Sequence, residues 1–275
     1  MIMIDKPTLT NTGLKSKAKF ELGSLYKYRF LVMELIIRNI KTRYKRSLLG
    51  VAWTMVNPLL TMLVMTVVFS QLFAFELPGY PIYILSGILL WNFFSETTVS
   101  AVRNLVWSSR LIKRIKIPSS LFAAAAVGTG LVNLIIALLP LSLIILITKS
   151  QLGLALLFLP VAIILASVFS LGIGLAVSSQ AVFFSDVVDM YQILLLAWMY
   201  LTPIFYPQEI IAEKYQWIIE INPMYYLLEC FRAPIYYNQI PEPHIVLGAA
   251  LISITTFILG GLIFINKSDQ FAYYL

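Results

Sequence analysis

The apolar positions of this chain fall into long unbroken runs joined by short polar or charged links. From Arg29 the pattern is at first one-sided. At 100° per residue Phe30, Met33, Ile36, Ile37, Ile40 and Tyr44 share an arc of about 120°, and Glu34, Arg38, Lys41 and Lys45 share the next. Such an amphipathic helix, over 29–46, lies in a membrane surface with its cations among phosphates and water. Past the turn Ser47-Leu48-Leu49-Gly50 the runs are continuous, and each is long enough for about 30 Å of hydrocarbon. They predict spans near 50–73, 82–102, 119–147, 152–178, 188–205 and 244–266. Continuous rather than alternating apolarity excludes a closed barrel. Helices are the other way for a backbone to satisfy itself in lipid.

The expected architecture is therefore an all-α integral membrane protein. A polar arm (1–28) precedes the interface helix (29–46) and a six-span transmembrane domain (47–275). Before the last span, residues 206–243 interleave carboxylates with Tyr206, Trp217, Tyr225, Tyr226, Phe231, Tyr236 and Tyr237, too apolar for a free loop. Pro223 splits this region into two short helical patterns. Irregular backbone at membrane depth needs cover from protein or water, which predicts two short re-entrant helices resting on the outer mouth of the bundle.

Composition agrees: of 275 residues 60% are hydrophobic and only 12% charged, with mean hydropathy +0.86, which excludes a soluble domain. Charge then orients the spans. Of twenty Lys and Arg, eleven lie in residues 1–50, five in the 103–118 loop and one at Lys267. The other face holds Lys149, Lys214 and Arg232 against six glutamates. The positive-inside rule puts both termini in the cytoplasm of a multi-pass inner-membrane protein. Residues 1–28 carry five lysines and no apolar core, so no cleavable leader is expected there. One cysteine (Cys230) and one histidine (His244) predict neither a disulfide nor a metal site.

Candidate chemistry is sparse. There is no phosphate-binding Walker loop, no paired carboxylates within a span and no nucleophile motif, so the chain is not expected to be an enzyme, and any ATP would act on another polypeptide. Glu96 is the one clear ionisable residue inside a span. Asp186 and Asp189 suit the start of a helix. Gly128, Gly130, Gly172 and Gly174 lie in apolar spans, where small residues permit close packing. Two stripes at helical spacing, Met62, Thr66, Phe69, Phe73 and Tyr191, Trp198, Thr202, Phe205, admit two readings: rungs along which a sugar chain slides, or ordinary packing. The 103–118 loop alternates cations with Leu105, Trp107, Leu111, Ile112 and Ile115; it reads either as a docking helix or as a solvated positive loop.

Several motifs occur together and in order. Arg43-Tyr44-Lys45-Arg46-Ser47-Leu48-Leu49-Gly50 is followed by Trp53 and Asn57-Pro58, then by Gly87 and Trp91-Asn92-Phe93-Phe94. Asn104, Leu111-Ile112-Lys113 and Ile117-Pro118 come next, then Thr202-Pro203-Ile204-Phe205-Tyr206-Pro207, Asn222-Pro223 and Arg232. From about residue 29 onward this resembles the permeases of type-2 ABC exporters of cell-surface polysaccharides, including O-antigen, capsule and teichoic-acid exporters. One departure is Phe184-Ser185-Asp186, where the family commonly has Phe-Arg-Asp. The resemblance implies a homodimer working with two separate ATP-binding cassette subunits, which carry the ATP and magnesium; this chain itself would bind no cofactor. It implies a channel between spans 1 and 5, lined by the two stripes, and a polyprenyl-pyrophosphate-linked glycan, foremost an O-antigen, as cargo. Arg38, Lys41, Lys45 and Gly50 would frame the headgroup entrance. Arg110, Leu111, Ile112, Lys113, Arg114 and Ile115 would couple to the ATPase. Membrane lipids are expected partners and nucleic acid is not. A lipid or drug exporter of the same architecture, and a membrane scaffold without transport, remain as alternatives.

Overall fold

The structure, a computed structural model, describes Glu21, Gly23 and residues 26–69, 78–107, 117–148 and 153–274. Every regular element among them is helical. α1 (Arg29–Tyr44) leads through a single 3-10 turn at Gly50–Ala52 into α2 (Trp53–Val67). There follow α3 (Tyr80–Trp107), α4 (Ser120–Ile147), α5 (Leu159–Ala181) and α6 (Val187–Leu201). α7 (Gln216–Ile221) and α8 (Pro223–Arg232) are short, and α9 (Pro243–Lys267) and α10 (Phe271–Tyr274) end the chain. Among the described residues five segments are long and apolar enough to cross a membrane: Gly50–Val67, Tyr80–Trp107, Ser120–Ile147, Leu154–Ala181 and Pro243–Gln270.

The expected span at 188–205 is shorter than its apolar run. α6 has 15 residues, about 22 Å at 1.5 Å per residue, and stops at Thr202, which is extended (φ −98°, ψ 134°). The reason is Pro203: its ring disfavours the α region for the residue before it, and it has no N–H for the helical ladder. Residues 202–206 continue as irregular backbone.

α3 is the central post. Nearly four-fifths of its most apolar stretch is buried inside the protein, against a third or less in the other four long segments. α4 and α5 pack along its sides, α9 packs on α5, α2 rests on α3 and α4, and α6 rests on α3 and α5. Gly128, Gly130, Gly172 and Gly174, expected to permit close packing, all sit at helix contacts. A Cβ on Gly128 would strike Ile36 of α1, one on Gly130 would strike Thr97 of α3, and one on Gly174 would lie 3.1 Å from Ala101 of α3. At Gly172 it would lie 2.6 Å from the backbone of Thr256 and Phe257 in α9.

α1 packs against α4 through Leu35, which is buried, and Ile36, while Phe30 and Met33 stay exposed. The apolar arc expected along it is thus divided: part binds the bundle and part faces outward. The chain leaves α1 through Arg46 and Gly50, both in the left-handed region (φ 64° and 52°). Glu21 is tied to the start of α4, accepting from the hydroxyl of Ser120 and from its N–H at 3.4 Å. Of the arm over 1–28, residues 1–20 lie outside the described residues.

Between α6 and α9 the two short helices expected on either side of Pro223 are present as α7 and α8. Asn222 caps α8 by accepting from the N–H of Met224 at 3.0 Å. A π-helical turn at Ala233–Tyr237 follows, closed by Asn238 at φ 52°.

Candidate functional site

The two ends of the bundle differ in chemistry. One end gathers the start of α3, the segment 202–206 and α8. In an apolar setting the carbonyls that α6 leaves behind need donors, and side chains from elsewhere supply them. Asn222 Nδ2 donates to the Leu201 carbonyl at 3.1 Å and to Thr202 Oγ1 at 3.0 Å. The Tyr80 hydroxyl donates to the Phe205 carbonyl at 2.6 Å, and Tyr83 donates to those of Tyr206 at 2.9 Å and Pro203 at 3.3 Å.

Arg232 completes the set. Its side chain is fully buried and donates to the carbonyls of Pro203 at 3.0 Å and Ile204 at 3.3 Å, and to the Tyr83 hydroxyl at 3.1 Å. It also pairs with Glu229 at 3.3 Å and lies 3.8 Å from the centre of the Tyr83 ring. Burial holds the Glu229 carboxyl above the ordinary carboxylate range, and Arg232 offsets only part of that rise. Gly87 makes room for this arrangement, since a Cβ there would sit 2.9 Å from the guanidinium.

The opposite end is basic and open. A groove of about 620 Å³ runs between α1, α3 and the first turns of α4, lined by Arg38, Asn39, Thr42, Arg43, Arg103 and Asn104, with Trp107 beside them. Arg43 Nη1 donates to Glu96 Oε2 at 2.6 Å, so the acidic group inside α3 is neutralised. Three arginines against one carboxylate leave the groove two positive charges in excess. Guanidinium forks suit phosphate oxygens, which they bind through paired hydrogen bonds. Beyond the Arg43–Glu96 pair a second cavity of about 370 Å³ reaches into the bundle between α2, α3 and α4.

The structure sorts the residues expected from sequence. Arg38 lines the basic groove, whereas Lys41 and Lys45 are exposed outside its lining, and Gly50 forms the turn into α2. Arg43 and Arg103, which hydrophobic patterning did not single out, replace the two lysines. Residues 110–115, expected to couple to a partner, and Phe73 lie outside the described residues.

The two stripes expected to line a channel point inward. Tyr191 is only 7% exposed and donates to Thr98 Oγ1 at 2.8 Å. Trp198 meets Trp91, Phe94 and Phe169 edge-on at 5.3–6.3 Å, and its indole donates to Asn222 Oδ1 at 2.8 Å. Thr202 and Phe205 are buried; Met62 and Phe69 pack against the main core, and the Thr66 hydroxyl is buried. On α6 the inward orientation is fixed by the polar tips of Tyr191 and Trp198, which find their partners inside the bundle. The outward faces carry other residues: Leu60, Val64 and Val67 on α2, and Met190, Ile193, Leu194 and Tyr200 on α6. Asp186 stands at the N-cap of α6 but makes no capping bond; its carboxylate accepts from Ser185 instead.

Comparison with known proteins agrees with this architecture. The chain is similar to the O-antigen export system permease protein RfbA of Myxococcus xanthus, 28% identical over 258 residues that cover 90% of this chain and 96% of the relative. It is similar to the protein of that name from Klebsiella pneumoniae, 25% identical over 254 residues covering 91% and 95%. The capsule polysaccharide export inner-membrane protein CtrC of Neisseria meningitidis serogroup A is 24% identical over 225 residues, 77% of this chain and 81% of the relative. The family profile described as ABC-2 type transporter matches residues 31–236, three-quarters of the chain, so the chain belongs to the ABC-2 type transporter membrane family.

Proposed function

We propose that this chain is the channel-forming membrane subunit of an exporter of a polyprenyl-diphosphate-linked polysaccharide, foremost an O-antigen. The supporting observation is the groove of Arg38, Arg43 and Arg103: its excess of two positive charges complements a diphosphate at the membrane surface. Kinship with O-antigen and capsule permeases supports the glycan. In this reading both termini are cytoplasmic, so the groove faces the side on which the cargo is made. α6 with residues 202–206 makes a sixth crossing, and α7 and α8 form a re-entrant pair closing the outer mouth. Two copies meet through the exposed apolar faces of α2 and α6, with the channel between them. Tyr191, Trp198 and Thr202 hold the wall of that channel from within.

Energy comes from two separate ATPase subunits. They dock on the 103–118 loop through Leu111, Ile112 and Ile115, with Arg110, Lys113 and Arg114 on an acidic rim. The reading is tested by co-expressing the chain with an ATP-binding cassette subunit of a polysaccharide exporter, in vesicles carrying a lipid-linked glycan. ATP hydrolysis should rise with the glycan, and Arg103→Ala should weaken that stimulation about tenfold or more, the value of one charged hydrogen bond. Leu111→Asp with Ile112→Asp should abolish co-purification of the ATPase. Stimulation unaltered by Arg103→Ala would sink the diphosphate reading.

A further inference from the structure

The cavity beyond the Arg43–Glu96 pair has its own chemistry. Its volume, about 370 Å³, falls within the small-molecule range of about 300–1,000 Å³. Three helices each bring an amide to its wall: Asn57 from α2, Asn92 from α3 and Asn133 from α4. Asn133 Oδ1 and the hydroxyl of Tyr44, also on the wall, are buried and have no hydrogen-bond partner among the described residues. A buried polar atom left without a partner is costly, and inside an apolar helix such a residue is the ordinary mark of a bound group.

The lining limits what that group can be. The charges here, Arg43 and Glu96, neutralise each other at 2.6 Å, so a phosphate has no free cation to bind. An acyl chain would leave the amides unpaired. Amides both donate and accept, as hydroxyl groups require, and Leu89, Phe93 and Leu134 supply an apolar wall beside them. A sugar ring presents this combination, with hydroxyls at its edge and C–H groups on its faces.

We infer that this cavity takes the first sugar of the cargo, the one bonded directly to the diphosphate, while the diphosphate occupies the neighbouring basic groove. The inference rests on the function proposed above. The two sites share Arg43 and Glu96 as a common wall, which places the two groups as neighbours along one ligand. Selection then acts on the innermost sugar, and units further along the glycan pass without being read here.

The test uses the full chain in lipid nanodiscs and four probes: farnesyl diphosphate, and farnesyl diphosphate bonded to a single glucose, galactose or N-acetylglucosamine. Binding is read from the emission of Trp53 and Trp107, which border the two cavities. At least one sugar probe should bind about tenfold tighter than farnesyl diphosphate, the worth of two neutral hydrogen bonds. Asn133→Leu should erase that gain and leave affinity for farnesyl diphosphate as in wild type. Asn133→Ala, which removes the amide without filling the cavity, serves in its place should the leucine variant not fold. Arg103→Ala should weaken all four probes alike. Equal affinity of wild type for all probes, or an Asn133 variant that weakens all of them equally, overturns the sugar site while leaving the diphosphate reading intact. Failure of every probe to bind wild type overturns both.

Discussion

Arg232→Ala should leave little folded protein in the membrane. The substitution removes the donor from the Ile204 carbonyl and from the Tyr83 hydroxyl, takes one of two donors from Pro203, and leaves Glu229 without its cation. Each orphaned buried group costs about 1–3 kcal/mol, so a loss of roughly 3 kcal/mol or more is expected. Breaking a buried ion pair has a similar cost, about 3–5 kcal/mol. Arg232→Lys should recover part of this, because one ammonium cannot reach both carbonyls and also cover the Tyr83 ring. Thermal melting of the purified protein, followed by size-exclusion, gives the answer. If Arg232→Ala melts like wild type yet fails in export, the arginine acts on cargo and the fold does not depend on it.

The second large effect is expected where α5 crosses α9. A Cβ on Gly260 would overlap the carbonyl of Gly172, and backbone cannot swing aside as a side chain can. The two helices must separate, and overpacking of this kind costs about 1–3 kcal/mol per site. Gly260→Ala should therefore lower the melting temperature, and Gly260→Val should lower it further. Gly261, one residue along, faces open space. Gly261→Ala is the control and should melt within error of wild type. Equal behaviour at 260 and 261 would mean that the crossing is looser than its geometry states.

Most helix ends were legible because apolar runs in lipid have to be helical and have to be long. The span expected at 119–147 is found at Ser120–Ile147, and that at 244–266 at Pro243–Lys267. The end of α6 is not legible in hydropathy because Ile204 and Phe205 prolong the apolar run past Pro203, which interrupts the backbone ladder. Which way the Tyr191 stripe points was not legible either. Spacing puts Tyr191, Trp198 and Phe205 on one face, but in lipid an inward and an outward face are equally apolar. The partners that decide it, Thr98 and Asn222, lie 93 and 24 residues away from the rings they hold.

The basic groove was half legible. Arg38 stands out on the helical projection of α1, while Arg103 reads in sequence as one more charge of the loop, although it belongs to the last turns of α3. The cavity has its own sequence signal in Asn92 and Asn133, polar residues within apolar spans. An amide in the middle of a span is costly unless something uses it, and these two mark the cavity wall.

The burial of α3 bears on how the chain is made. A helix wrapped by its own neighbours has no need to be soluble in lipid, and α3 carries Asn92, Ser95, Glu96, Thr97 and Thr98 around its middle. Its most apolar stretch is far less hydrophobic than those of α4 and of the segment that ends in α5. During synthesis, however, α3 meets the translocon before those neighbours exist, and each segment partitions at first by its own composition. α3 should therefore be a poor inserter alone and should settle only when α4 follows and holds it. Glycosylation mapping of chains truncated after Trp107 and after Ile147 would show this, with a mixed topology in the shorter chain and a single one in the longer. Assembly of the membrane domain would then begin as a pair of helices, the second rescuing the first.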